Sequence, residues 1–239
     1  MAVKTLEARL PVAGVSRSAY WSDIVFARPV PAVFFGIFLI DKLLLVRDAA
    51  LSVPARAQPT DYLAPLDELL GLAYFALLVV LYVTRLPKRA GDARLRMVAV
   101  SFFGSFSVLA VSLVPSVPAR VFLLGPGAFL VTVGLAYTLW SLVYLRRSFS
   151  IIPEARRLVT GGPYAISRHP LYLGEGVAAF GLFLPTFSWA EALLFAAFLG
   201  SQYLRIRAEE RVLSGQFPEY LEYARRVPRY LPNPFLSWR

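Results

Sequence analysis

The segment 121-VFLLGPGAFLVTVGLAYTLWSLVYL-145 contains no charged residue and is bounded by Arg120 and Arg146. A helix needs about 20 mostly apolar residues to cross the hydrocarbon core of a bilayer. This run therefore predicts a transmembrane helix, with one arginine at each membrane surface.

Other parts of the chain repeat this pattern. Of the 239 residues, 57% are hydrophobic, which is too high a proportion for a soluble domain with a wet surface. We predict an all-α, polytopic integral membrane protein with about six transmembrane helices and a C-terminal cytoplasmic catalytic region. The predicted spans are 29–46, 66–84, 97–114, 121–145, 171–187 and 188–204.

Lysine and arginine are distributed unevenly around these spans. The net charge is +10, and 21 of the 25 Lys and Arg residues lie in segments that six spans would put on one side. Because positive loops remain in the cytoplasm, both termini are predicted to be cytoplasmic and residues 56–63 extracytoplasmic. Residues 1–24 carry charges and no apolar core, which predicts a cytoplasmic arm rather than a cleavable signal peptide. In a soluble protein this charge would suggest nucleic acid; in a membrane protein topology explains it, and no nucleic-acid partner is predicted.

Rare residue types narrow the possible chemistry. The chain has no cysteine and one histidine, His169, which excludes disulfides and thiolate chemistry. Zinc needs several converging nitrogen or sulfur ligands, so no metal partner is predicted.

The chain divides into residues 1–145, an N-terminal arm with four transmembrane helices, and residues 146–239, a cofactor-binding and catalytic region with a helical hairpin and an interfacial helix.

The single histidine lies in 161-GGPYAISRHPLYLGE-175. Glycine and proline at 161–163 predict a tight turn. Pro170 suits the first turn of a helix, where its missing N–H is tolerated. His169 then occupies the capping position at the positive end of the helix dipole. These residues alone are also compatible with a simple turn at 161–163 and with a simple helix cap at His169, without any role in binding.

Two acidic positions follow. Glu175 falls just inside a predicted span, where ionisable groups are costly and usually face a partner or a cavity; an interfacial carboxylate reached by water is the alternative. In 205-RIRAEE-210, a continuing helix would put Arg205 near Glu209 and Arg207 near Glu210, spacings that allow ordinary ion pairs. The segment 217–226 alternates aromatic and charged residues, which predicts a short interfacial helix.

Together, 158-LVTGGPYAISRHPLYLGE-175, 205-RIRAEERVL-213 and 217-FPEYLEYARRVPRYLP-232 resemble the isoprenylcysteine carboxyl methyltransferase family. That family is related to the phospholipid N-methyltransferases among the integral-membrane methyltransferases. The resemblance covers about 158–232 and implies S-adenosylmethionine as cofactor. It implies that the cofactor is bound by Gly162, Pro163, Tyr164, His169, Pro170, Tyr172, Leu173, Glu209 and Glu210.

The resemblance also implies a lipophilic small-molecule substrate and a site in contact with membrane lipid. We predict that Arg205 anchors the acceptor if it is a carboxylate, and that Glu209 takes the proton if it is an amine or thiol. Carboxyl O-methylation of a prenylcysteine-like substrate is preferred, with lipid N-methylation or thiol S-methylation as alternatives. An NADPH-dependent membrane reductase similar to the sterol reductases is an alternative of another class, although that family has a cysteine near its end. A non-enzymatic membrane scaffold is the third hypothesis.

Overall fold

The computed structural model describes residues 29–52, 62–86, 88–92, 94–108 and 118–230. The predicted arm at 1–24, most of the predicted extracytoplasmic segment at 56–63 and the end of the third predicted span lie outside the described residues. The described part is mostly helical. Its α-helices are α1 Pro29–Leu51, α2 Leu63–Thr84, α3 Leu95–Phe106, α4 Val121–Leu145, α5 Pro170–Phe183, α6 Trp189–Gln216 and α7 Tyr220–Arg226.

Among the described residues, three helical segments are long and apolar enough to cross a membrane: Pro29–Leu51, Pro65–Thr84 and Val121–Ser148. The helices α3 and α5 are apolar but shorter. The chain therefore has the helices of an integral membrane protein, and the count of six spans stays a prediction. The predicted hairpin is present as α5 and α6, but α6 continues without a break beyond the predicted end of the span at residue 204.

The helices α4 and α5 pack against each other through glycines. A Cβ added to Gly134 would meet backbone atoms of Gly174 and Ala178, and one added to Gly181 would meet the backbone of α4. Small residues allow two helix backbones to approach closely inside a membrane. Close packing fixes α5 on α4 and sets the position of everything that follows His169.

The start of α6 has a capping box. The Ser188 hydroxyl accepts a hydrogen bond from the Glu191 N–H, and the Glu191 carboxylate accepts one from the Ser188 N–H. This arrangement satisfies two backbone donors that a helix start leaves open. Glu191 is buried, and its carboxylate has a structural role in the capping box.

The segments that follow α2 and α4 meet at one end of the bundle. Two short strands, β1 Ala90–Gly91 and β2 Glu154–Ala155, pair antiparallel, with Ala90 opposite Ala155. The Leu86 N–H also donates to the Arg147 carbonyl at 2.8 Å. Three of the segments predicted to share one side of the membrane, 85–96, 146–170 and the part from 205, are therefore in contact.

Candidate functional site

The turn before α5 has the predicted form. Residues Gly162–Ala165 make one turn of 3₁₀ helix, and His169 is the N-cap of α5 with Pro170 in the first turn. Gly162 has φ +61°, and a Cβ there would collide with the Tyr144 ring. Gly162 is therefore needed for both backbone conformation and space, while Pro163 is buried.

The segment after α6 holds this turn in place. The Arg168 N–H donates to the Pro228 carbonyl at 2.9 Å, and the Ser167 hydroxyl donates to the Arg229 carbonyl. The Tyr223 hydroxyl donates to the Tyr164 carbonyl at 2.7 Å. Two segments about 60 residues apart thus form one unit.

Glu210 lies at the centre of a cluster of basic side chains. Arg168 Nη1 lies 2.9 Å from Glu210 Oε1, Arg229 Nε donates to the same oxygen at 3.1 Å, and His169 Nε2 lies 3.3 Å from it. Burial raises the pKa of Glu210, but the hydrogen bonds from His169 and Arg229 and the charge of Arg168 outweigh burial and lower the pKa to about 2. Glu210 is therefore ionised and locks the turn to α6.

Glu209 occupies a more open position. Its Oε1 accepts a hydrogen bond from the Tyr172 hydroxyl, and its Oε2 lies 3.9 Å from His169 Nδ1. His169 is only 3% exposed and stands between the two glutamates. One histidine at the helix cap thereby orients both acidic residues of α6.

The ion pairs allowed by the helical spacing of 205–210 are not the ones observed among the described residues. Arg207 is exposed and donates to the Tyr203 hydroxyl, and Glu210 turns to Arg168 and Arg229 instead. Arg205 points inward, because it lies on the buried face of α6 with Gln202 and Ile206.

Arg205 is 2% exposed. Its Nη1 donates to Gln202 Oε1 at 2.7 Å, and its Nη2 donates to the Ile151 carbonyl at 3.2 Å. Its guanidinium lies over the Tyr172 ring, 4.8 Å from the centroid. Gln202 Nε2 donates to Glu175 Oε2 at 2.7 Å, so Glu175 faces a partner within the fold.

A cleft opens between the turn, α6 and α7. Among the residues predicted to bind the cofactor, Tyr164, His169, Tyr172 and Glu209 line this cleft. The other predicted residues of this region, Gly162, Pro163, Pro170 and Glu210, do not line the cleft, and we call these four residues the frame. Leu173 faces a groove between α5 and α6, and Arg205 lines a neighbouring cavity.

Several residues of this region were missed by the sequence analysis. Tyr220 and Tyr223 line the cleft and are buried, whereas Leu221 between them is 60% exposed. The segment 217–226 was assigned to the membrane interface, but its tyrosines pack on Ala155 and Phe217. The spacing of three residues places Tyr220 and Tyr223 on the same face of a helix, and this was the sequence signal that could have identified them. Arg168, Arg229 and Gln202 carried no comparable signal.

The donor set of the cleft fits S-adenosylmethionine. That molecule has an adenine ring, ribose hydroxyls, an ammonium and a carboxylate. The cleft offers the tyrosine rings of Tyr164, Tyr220 and Tyr223 for stacking, the Glu209 carboxylate for an ammonium or hydroxyls, and the guanidinium groups of Arg157 and Arg168 for a carboxylate. Each of these pairings is of an ordinary kind in proteins.

Two curated proteins are similar to this chain. The cobalt-zinc-cadmium resistance protein CzcN of Cupriavidus metallidurans is 40% identical over 108 residues, 45% of this chain and 46% of that protein. The nickel-cobalt-cadmium resistance protein NccN of Alcaligenes xylosoxydans xylosoxydans is 37% identical over 112 residues, 46% of this chain and 50% of that protein. The chain thus matches about half the length of each relative. Within the described ranges, no group of three or more His, Cys, Asp or Glu side chains could hold a metal ion.

A family match covers α4, α5 and α6, three of the helices near the site. A protein-family model described as phospholipid methyltransferase matches residues 121–219. The match extends from the start of α4 to just before α7 and includes the turn, His169 and both glutamates. It confirms the resemblance to integral-membrane methyltransferases. Over residues 121–219 this chain is similar to the phospholipid methyltransferase family.

Proposed function

We propose that this protein transfers a methyl group from S-adenosylmethionine to a lipophilic acceptor at the cytoplasmic membrane surface. The observation that carries the proposal is the contact between Tyr172 and Arg205. Tyr172 belongs to the polar cleft, and Arg205 belongs to the neighbouring apolar cavity. A water-soluble donor and a lipophilic acceptor would therefore meet at adjoining walls.

When bound, S-adenosylmethionine supplies an electrophilic methyl group on a sulfonium. Tyr164, Tyr220 and Tyr223 would hold its adenine, and Glu209, oriented by His169 and Tyr172, would hold its ribose or ammonium. Glu210 would act indirectly, because it pairs with Arg168, which lines the cleft, and with Arg229. These side chains position the reactants and exclude water, which contributes strongly to reactions of this kind.

The acceptor that we favour is a carboxylate on a prenylcysteine-like molecule. A guanidinium binds a carboxylate through two parallel hydrogen bonds, and the buried Arg205 Nε has no hydrogen-bond partner among the described residues. The carboxylate oxygen would form the new bond to the methyl carbon as the sulfur–carbon bond breaks, and no proton needs to be removed. An amine of a lipid headgroup or a thiol is the alternative acceptor, with Glu209 taking the proton.

Binding of S-adenosylhomocysteine tests the cofactor site. A ligand that binds only the folded protein stabilises it by mass action, so S-adenosylhomocysteine should raise the melting temperature of the purified protein. His169→Ala and Glu209→Ala should each reduce this shift. Glu222→Ala should not, because Glu222 is 65% exposed and pairs only with Arg226 among the described residues. A shift with NADPH and none with S-adenosylhomocysteine would favour the reductase hypothesis.

Topology is open to a separate experiment. We propose that both termini and the site face the cytoplasm, supported by the charge distribution and by the contact between three basic segments. Because the native chain has no cysteine, Gln58→Cys and Arg211→Cys can be labelled singly in intact cells with an impermeant maleimide. We expect Gln58→Cys to react directly and Arg211→Cys to react only after permeabilisation; the reverse pattern would contradict the topology.

A further inference from the structure

Glu175 and Arg205 lie on the wall of an apolar chamber, which includes the cavity assigned above to the acceptor. Two adjoining cavities share Tyr74, Ser105, Val108 and Glu175 as lining residues. The remaining wall near Arg205 is rich in aromatic rings from α1 and α2, with Phe38 and Phe75 stacked at 5.3 Å. We call this space the chamber.

The two charges of the chamber are held apart rather than joined. Gln202 stands between them, with its carbonyl on Arg205 Nη1 and its amide nitrogen on Glu175 Oε2, both at 2.7 Å. No direct ion pair within 4.0 Å links Glu175 to a cation among the described residues. A bridging amide thus keeps one negative and one positive group available along the same wall.

Both groups have binding capacity left. The Arg205 guanidinium has five N–H donors, and its Nε is buried without a hydrogen-bond partner among the described residues. For Glu175, Oε1 has no hydrogen bond to a described residue. In apolar surroundings, unmet hydrogen bonds to charged groups are costly.

We propose that the chamber binds the methyl acceptor as a free, lipid-tailed amino acid, with its carboxylate on Arg205 and its ammonium on Glu175. This inference rests on the proposed methyl transfer. One positive and one negative group match a zwitterionic head, and the aromatic wall suits a hydrocarbon tail. A peptide-linked acceptor would offer a neutral amide to Glu175 and would leave that carboxylate without a cation.

The same contact would select the atom that is methylated. An ammonium held by Glu175 keeps its proton, so its nitrogen has no lone pair for the methyl group. The carboxylate oxygen is then the nucleophile: the oxygen–carbon bond forms, the sulfur–carbon bond breaks with its electron pair on sulfur, and a methyl ester and a thioether result. Glu175 is in this view a specificity-determining residue, not a base.

The groove between α5 and α6 is the competing location. It is lined by Leu173, Gly176, Val177, Phe180, Leu199 and Tyr203 among others, and none of its lining residues is charged. Such a groove can accept a hydrocarbon chain but cannot recognise a charged head. We therefore assign the head of the acceptor to the chamber.

Three acceptors with the same tail test the assignment: S-dodecylcysteine, N-acetyl-S-dodecylcysteine and 3-(dodecylthio)propionate. We expect kcat/KM for the free amino acid to exceed the other two by about tenfold or more, the scale of one hydrogen bond to a charged group. Glu175→Gln should abolish this preference, because only the free amino acid offers an ammonium to the Glu175 carboxylate. Glu68→Gln is the matched control and should keep the preference. The Glu68 carboxylate lies on α2, pairs with Lys42 and does not line the chamber.

A second pair of variants tests the location. Ser105→Phe, which would fill the chamber, should raise KM for S-dodecylcysteine, whereas Leu199→Trp in the groove should not. The S-adenosylhomocysteine shift should persist in all variants, as a check of the fold. Equal use of all three acceptors by the unmodified protein, or a preference that survives Glu175→Gln, would overturn the inference and leave methyl transfer standing. Methylation of none of them, with lysophosphatidylethanolamine methylated instead, would also overturn it.

Discussion

Arg205→Ala is expected to lower methyl transfer by about a hundredfold or more, the scale of a misplaced reactant, while most S-adenosylhomocysteine binding remains. Arg205 lines the chamber and not the cleft, so its removal should affect the acceptor rather than the cofactor. The guanidinium is the group that would hold the reacting carboxylate in line with the methyl carbon. The measurement is turnover of radiolabelled S-adenosylmethionine, together with the melting-temperature shift.

Arg205→Lys should restore little activity, because an ammonium cannot reproduce the planar fork of a guanidinium. Arg207→Ala is the matched control: Arg207 is two positions away, exposed and bonded to Tyr203, and its loss should leave turnover nearly unchanged. Arg205 also supports the Ile151 carbonyl, so some loss of thermal stability is expected with Arg205→Ala. Near-normal turnover in Arg205→Ala would make this residue a structural one.

Gly134→Leu is expected to prevent stable folding. A Cβ at Gly134 would already collide with the backbone of Gly174 and Ala178, which no side-chain rotation can relieve. Overpacking costs roughly 1–3 kcal/mol and occasionally more, and a backbone collision between α4 and α5 belongs at or above the upper end. We expect the melting temperature in detergent to fall by about 10 °C or more, or the folded protein not to be recovered.

Gly125→Leu supplies the control for this substitution on the same helix. Nothing lies within 4 Å of a Cβ built at Gly125, and leucine is the better helix former. Gly125→Leu should therefore leave the melting temperature nearly unchanged. Equal stability of the two variants would show that the close contact of α4 and α5 is not required.

Much of the architecture follows from local sequence. An apolar run of bilayer length is a property of consecutive residues, so the helix at 121–145 was predicted with its boundaries. The cap at His169 and the turn at Gly162 were likewise predicted, because proline fixes φ and glycine permits a positive φ at their own positions. The resemblance to membrane methyltransferases also came from residues close together in the chain, and the family match confirms it.

The partners of charged residues could not be obtained in this way. Helical spacing predicted that Arg207 could pair with Glu210, but Glu210 pairs with Arg168 and Arg229. Exposed ion pairs contribute little to stability. They are therefore replaced when the fold brings cations from distant segments close to a partly buried carboxylate. Gly104 illustrates the same limit: its sequence context has no informative spacing, yet it lies against Ser201 and Arg205 of α6.

The sequence by itself therefore determined where the helices, the turn and the histidine cap lie. Only the tertiary structure decided that Glu210 belongs to the frame and Glu209 to the cleft, and that Glu175 and Arg205 face one chamber through Gln202. The physical reason is that helix and turn formation depends on neighbouring residues, whereas the surroundings of a side chain depend on which distant helices can approach it closely.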